Sequence, residues 1–317
     1  IFLEKQIKRN FFVNRIVKII IILCKKLPNL KCLIDYEPES SARDTEGVTQ
    51  LVKMPGFNQS ENKFCIDWLK KHGWKGPKQK IVCVHLRDSA FLESFFKKTK
   101  YKKINWEYHS YRDSDIDDFN ESINWLLNKD VFVIRTGKIA QKRSEINSKS
   151  FLDYPFCEQK RDILDVWFFS NADLVISTGA GVDEISGAYK VPRIYVNLLP
   201  IIDAPSWTKS LTIPKHLYWK KNKKHLSFEE YVELNKIYTT QEFLEKGIII
   251  KSLSSTEIRK VITEGWNYFV ENQKVKNQDL IQTKKFKKII ETNNDLSSHH
   301  KVLNKDWIMS ANLFDTN

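Results

Sequence analysis

The chain has 317 residues, and 41% of them are hydrophobic, enough for about two cores and too many for a disordered class. Its formal net charge of +13 favours acidic partners: a nucleotide sugar, a phosphorylated lipid, an anionic membrane or nucleic acid. Nucleic acid is set aside, because no RNP, zinc-finger or KH signature is present and the lysines are spread along the chain. The five cysteines form no CxxC pair, and Cys83 lies inside an apolar run. That excludes a disulfide scaffold and fits a reduced, cytoplasmic setting.

Residues 1–31 carry eight basic residues against one acid, Glu4. Within them Ile16 to Cys24 is strongly apolar but contains Lys18 and is too short to span a bilayer. It reads either as a core element or as a basic-flanked segment in peripheral contact with an anionic membrane. The chain opens on Ile1 rather than Met and is expected to be an N-terminally incomplete piece. Residues 33–60 read as loop. Residues 61–73 fit a helix with Phe64, Trp68 and Leu69 on one side and Gly73 as its cap. GWKGPKQ then reads as a linker. The expected organisation is a partial, acceptor-side domain over 1–78, a nucleotide-binding domain over 79–270, and a polar, partly mobile tail over 271–317.

Ile81 to Val84 is a buried strand with His85, Arg87, Asp88 and Ser89 at its carboxyl end, where α/β proteins place ligands. Residues 91–103 are basic and aromatic. Ser114 is expected to cap a helix whose first turn holds Asp115, Asp117 and Asp118. Ile116, Phe119, Ile123, Leu126 and Leu127 give that helix its apolar face. Asp113-Ser114-Asp115 has the form of a metal-binding DxD, but the helix start accounts for the acids, so no metal is assigned. Val131 to Ile134 is the next strand, followed by Arg135, Thr136 and Gly137. Arg161 to Ser170 is an apolar helix. It leads into Leu174 to Ser177, a strand covered on both faces.

Thr178, Gly179, Ala180 and Gly181 follow. They allow a sharp turn and a close backbone approach, and a helix from about Val182 is expected to aim its N–H groups at a phosphate. A strand at Arg193 to Val196 completes the unit. Strands at 81, 131, 174 and 193 alternate with helices, the pattern of a doubly wound parallel sheet. Beyond Pro200, Ser227 caps a helix, Ile248 to Ile250 forms a strand, and Ser254 with Glu257 makes a capping box. From 271 only Phe286, Ile289, Ile290 and Trp307 to Met309 interrupt a polar sequence.

Four segments, VCVHLRDSAF, HSYRDSDIDDFNESINWLLNKDVFVIRTG, FLDYP and DLVISTGAGVDEISGAYKVPRIYVN, together resemble a bacterial family of glycosyltransferases associated with surface polysaccharides. The match covers about residues 81–265. More distantly, His85-Leu86-Arg87 after a buried strand resembles the HxR motif of GDP-fucose transferases of the GT-B fold. The resemblance implies a GT-B-like chain with a Rossmann-type C-terminal domain. It implies a nucleotide-sugar donor, a glycan or lipid-linked acceptor, no cofactor and no metal. It places Arg87, Ser177 and Thr178 on the donor phosphates, with His85 nearby. The HxRR form is broken here by Asp88, which puts GDP-fucose itself in doubt.

The expected site is therefore His85, Arg87 and Asp88 for catalysis, with Arg112, Arg135, Gly137, Ser177, Thr178, Gly179, Gly181 and Asp183 on the substrate. His85 and Asp88 both remain candidates for the base. Rival readings are a sugar-nucleotide epimerase, a dinucleotide-dependent oxidoreductase and a non-catalytic nucleotide-sugar-binding module. The oxidoreductase would need a GxGxxG after the first strand, where this chain has HLRDS.

Overall fold

A computed structural model describes residues 53–97, 106–234, 237–293, 296–297 and 300–312. The readings for residues 1–31 and for the first part of the expected loop lie outside the described residues. Helix α1 (Gln59–Lys71) precedes strand β1 (Ile81–His85) and helix α2 (Ala90–Lys97). Helix α3 (Asn120–Asn128) leads to β2 (Phe132–Thr136) and β3 (Phe151–Asp153). Helix α4 (Asp162–Asn171) precedes β4 (Leu174–Ser177), and the short helix α5 (Glu184–Ala188) precedes β5 (Arg193–Tyr195). Strands β6 (Ser210–Thr212) and β7 (His216–Trp219) come next, then helices α6 (Phe228–Glu233) and α7 (Thr240–Glu245) and strand β8 (Ile248–Lys251). Helices α8 (Ser255–Phe269) and α9 (Asn277–Thr292) and strand β9 (Trp307–Met309) complete the described part.

Seven strands form one parallel sheet in the order β3-β2-β1-β4-β5-β6-β9. The fold is a Rossmann-like α/β fold, and the strand order reverses between β1 and β4. In the central strands β1 and β4 side chains alternate across the sheet and both sets are buried, which is why Ile81–Val84 and Leu174–Ile176 read as unbroken apolar runs. Val82, Val84, Val133, Leu174 and Ile176 share one core with Ile123 and Leu126 of α3 and Ile258, Val261 and Ile262 of α8. Ile81, Cys83, Phe132, Ile134 and Val175 share the other with Trp68 and Leu69 of α1 and Leu164 and Phe168 of α4.

Several expectations change. Helix α1 lies before the boundary expected near residue 78, yet it covers this sheet rather than a separate domain, because Cys65, Trp68 and Leu69 have the sheet's second face to bury against. The segment expected to be a mobile tail supplies α9 and the last strand. Phe286 and Ile290 of α9 are buried, and Ser210, Leu211 and Thr212 pair with Trp307, Ile308 and Met309. The helix expected from Ser114 starts as a 3-10 turn, Ile116–Phe119. Its cap is Asp115, whose carboxylate accepts the Asp117 N–H at 2.9 Å. The capping boxes at Ser227–Glu230 and Ser254–Glu257 both form. Strand β8 pairs antiparallel with β7 in a separate two-stranded sheet. Among the described residues, no helix is long and apolar enough to cross a membrane.

Helix α8 approaches β5 and β6 through Gly265. A Cβ there would overlap the Ile194 side chain, which could yield only by repacking a dense core. Gly265→Val is expected to destabilise the fold by about 1–3 kcal/mol through overpacking, read as a lower urea midpoint. An unchanged midpoint would show that the helix can move away from the sheet.

Candidate functional site at the switch point

Parallel register sets the first layer of the site. His85 lies opposite both Thr136 and Ser177, so β1, β2 and β4 end in one row. The loops beyond are tied to each other. The Thr178 N–H donates to the His85 carbonyl at 3.2 Å. The Arg87 N–H donates to Thr178 Oγ1 at 2.8 Å, and the Ser114 N–H donates to the Arg87 carbonyl at 3.1 Å. The structure therefore brings together Arg87 and Thr178, which are far apart in sequence, as the switch-point reading requires.

The loop after β4 differs from a bare phosphate cradle. The Ser177 hydroxyl donates to Asp183 Oδ2 and accepts the Gly179 N–H at 3.0 Å. The Ala180 N–H donates to Asp183 Oδ2 at 3.0 Å. An acidic side chain thus occupies the position expected for a bound phosphate, and α5 is only five residues long. Ser177 and Asp183, both buried, shape this loop instead of facing a ligand. Arg193, wholly buried, supports it from below by donating to the Asp183 carbonyl at 3.1 Å. Gly179 adopts φ +84°, and an added Cβ would meet Leu198 Cδ1 at 2.6 Å. Gly181 is exposed, and an added Cβ there would meet open space.

The cationic side chains provide what the loop does not. Arg112 ends a 3-10 segment, Trp106–Arg112, and its Nη2 donates to the Gly179 carbonyl at 2.9 Å. Arg87 lies close enough for the two charges to oppose each other. Burial, and then the Arg112 charge, lower the Arg87 pKa from its usual range. Burial, then Arg87 and Arg112, also lower that of His109. The acid facing Arg87 is Asp113, 3.8 Å from Nε. Burial raises the Asp113 pKa against the pull of Arg87 and Lys215. The Nε atoms of both Arg87 and Arg112 are buried without a hydrogen-bond partner. Two largely buried guanidiniums with unused donors, sharing one nearby carboxylate, make a site short of negative charge.

Other predicted residues take structural parts. Asp88 Oδ1 accepts the Ala90 N–H and Oδ2 the Gln141 N–H, each at 3.0 Å, so its carboxylate fixes the start of α2 and the loop after β2. Arg135 is 4% exposed and donates to the Lys142 carbonyl at 2.8 Å and to Asp153 Oδ1 at 3.3 Å, away from Arg87. Gly137 turns the chain at φ +140° beside Pro155. His85 Nδ1 lies 3.0 Å from Thr136 Oγ1, and burial lowers its pKa, so the ring is neutral at pH 7. Asp115 and Asp117 share the Lys142 ammonium, at 2.6 Å each.

Sequence reasoning missed Lys215 and the placement of Asp113. Lys215 follows β6 by three residues and is 4% exposed, and its Nζ donates to the Asp113 carbonyl at 2.6 Å. The signal was Pro214-Lys215 at the carboxyl end of a short strand, hidden because β6 was not recognised as a strand. A Rossmann-like domain with two neighbouring arginines at its switch point is what the fold and site define. No family model, curated protein or solved structure matches the chain.

Burial lowers the Lys215 pKa from 10.5 to about 8, with Asp113 and Asp118 opposing the shift. Below pH 8 the lysine is charged in both the folded and the unfolded chain, and the fold carries the cost of burying it. Above pH 8 the folded protein sheds this proton first, so wild type gains stability relative to Lys215→Met up to about pH 10.5. The full difference is about 3 kcal/mol. Urea unfolding of both proteins near pH 7 and near pH 10 measures it. A difference that does not change with pH would mean that Lys215 is not a buried cation.

Proposed function

We propose that the chain transfers a sugar from a nucleotide-sugar donor to a glycan or lipid-linked acceptor, as a metal-independent transferase of GT-B type. The observation that carries this reading is the convergence of Arg87 and Arg112, each with a buried Nε that makes no hydrogen bond, where the strand order reverses. A diphosphate supplies what that cleft lacks. It brings two adjacent negative groups, and each guanidinium can grip an oxygen pair through its planar fork. As the sugar leaves, negative charge grows on the diphosphate, and fixed cations in a partly dry cleft stabilise it without reorganising. The GT-B assignment rests further on the sequence resemblance.

Transfer also needs a base at the acceptor hydroxyl. Asp113 suits this better than Asp88. Both Asp88 oxygens accept backbone N–H groups, whereas Asp113 faces Arg87 and burial raises its pKa. Lys142 pairs with Asp115 and Arg87 with Asp113, which leaves neither acid of the DxD ready for a metal. Turnover in EDTA follows from this reading.

The test is calorimetric titration with nucleoside diphosphates and their sugars, across the uridine, guanosine and thymidine series, followed by transfer assays in EDTA. Arg87→Ala and Arg112→Ala are each expected to weaken diphosphate binding by about 1.5–3 kcal/mol. Melting temperatures should stay near wild type, and Arg87→Lys should restore binding only in part. Wild-type binding by both alanine variants would end the reading. So would activity lost in EDTA and restored by Mn²⁺. Binding without any turnover would favour a nucleotide-sugar-binding module instead.

A further inference from the structure

A second cationic surface lies elsewhere on the domain. Lys209 and Lys305 stand just before β6 and β9, at the amino ends of those strands, whereas the switch-point site lies at the carboxyl ends of β1 and β4. With Lys274, Lys284 and Lys287 they line an open cleft of about 460 Å³, in which Asp306 is the one acid. Its walls include Tyr268, Phe269, Leu280 and Ile308. The Lys209 ammonium lies 5.5 Å from the centre of the Phe269 ring, which holds it on the wall of the cleft.

Helix α9 forms one lip and continues the surface outward. Leu280 is 42% exposed and Ile281 is 55% exposed, and they adjoin each other on the solvent side of a helix whose opposite side packs Phe286 and Ile290 into the core. Lys284, Lys285 and Lys288 are exposed beside them. In a helix, residues 280, 281, 284 and 288 fall on one stripe. Two aliphatic side chains offered to water among lysines, next to a lysine-lined cleft, are more than a solvated face requires. The same arrangement marks helices that lie in the headgroup region of anionic bilayers.

We propose that this face docks on an anionic phospholipid bilayer. The lysine cleft takes a phosphodiester headgroup, and Leu280 and Ile281 enter the acyl boundary. Charge complementarity selects this occupant: five lysines against one acid match a surface of repeated phosphates, and the exposed aliphatics match its hydrocarbon. The proposal does not depend on the transferase reading. It also differs from the expectation for residues 1–31, because it assigns contact to α9 and the cleft.

The experiment is sedimentation of the full chain with vesicles of phosphatidylcholine, alone or with about one third phosphatidylglycerol, at low and high salt. Wild type is expected to bind the anionic vesicles, to bind the neutral ones far less, and to be released by salt. Lys284→Glu with Lys287→Glu should lower partition at least tenfold, since each lysine near such a surface contributes about fivefold. Ile281→Ser should lower it less. Lys220→Glu with Lys221→Glu makes the same charge change at exposed positions elsewhere and should retain binding. Circular dichroism melts confirm that each variant is folded. Three results would overturn the proposal: no wild-type binding to anionic vesicles, equal loss in the Lys220/Lys221 variant, or full binding by the Lys284/Lys287 variant. A fourth is complete competition by millimolar inorganic phosphate at constant ionic strength, which would point to a soluble anion.

Discussion

Covering both faces of the sheet leaves only its edges able to meet a ligand. Between β1 and β4 the helices cross to opposite faces, so neither covers the gap at the carboxyl ends. Register then decides which residues surround that gap. Had β4 paired one residue out of step with β1, Ser177 would no longer lie opposite His85, and its side chain would point to the other face. The Arg87–Thr178 bond, the Ser114–Arg87 bond and the hold of Arg112 on Gly179 all depend on that one alignment.

Charge is distributed around the gap in a definite way. In the loop after β4, Asp183 and the Ser177 hydroxyl it holds accept the Ala180 and Gly179 amides whether or not a ligand is present. The Nε atoms of the arginines on the opposing loops make no hydrogen bond. On the proposed reading, ligand affinity resides in side chains carried by the loop after β1 and by the 3-10 segment ending at Arg112, while the small-residue loop supplies shape. A site built this way responds to arginine substitution in binding and to substitutions at Ser177 or Asp183 mainly in local order.

The strands β1, β2 and β4 were legible because each holds a run of apolar residues buried on both faces, and β5 because it follows a helix and a Pro192 break. Helices α3, α4 and α8 were legible from their spacing, the Ser254–Glu257 capping box from its four-residue signature, and Ser227 as a cap. Strands β6 and β9 were not. Each is three residues long, and Ser210 and Thr212 are polar side chains buried only because β5 and β9 flank them. Within the site, the pairing of Arg87 with the β4 loop was legible from the strand ends. Arg135 and Asp183 were misread for one shared reason: their polarity is consumed by partners that local sequence does not reveal, Asp153 for the arginine and the loop amides for the acid. Asp113 went the other way. It was assigned to a helix start that Asp115 in fact caps, which leaves Asp113 to face Arg87.

Trp307–Met309 pairs with Ser210–Thr212, so the sheet closes on a strand far along the sequence from its neighbour. Until those residues leave the ribosome, β6 presents an unpaired edge, with Leu211 beside it ready to template pairing with another chain. Contacts of such long sequence separation also form late, since loop closure must precede their reward. The nascent protein thus carries an aggregation-prone border from the synthesis of β6 until that of β9, and loss of the β9 residues would make that border permanent.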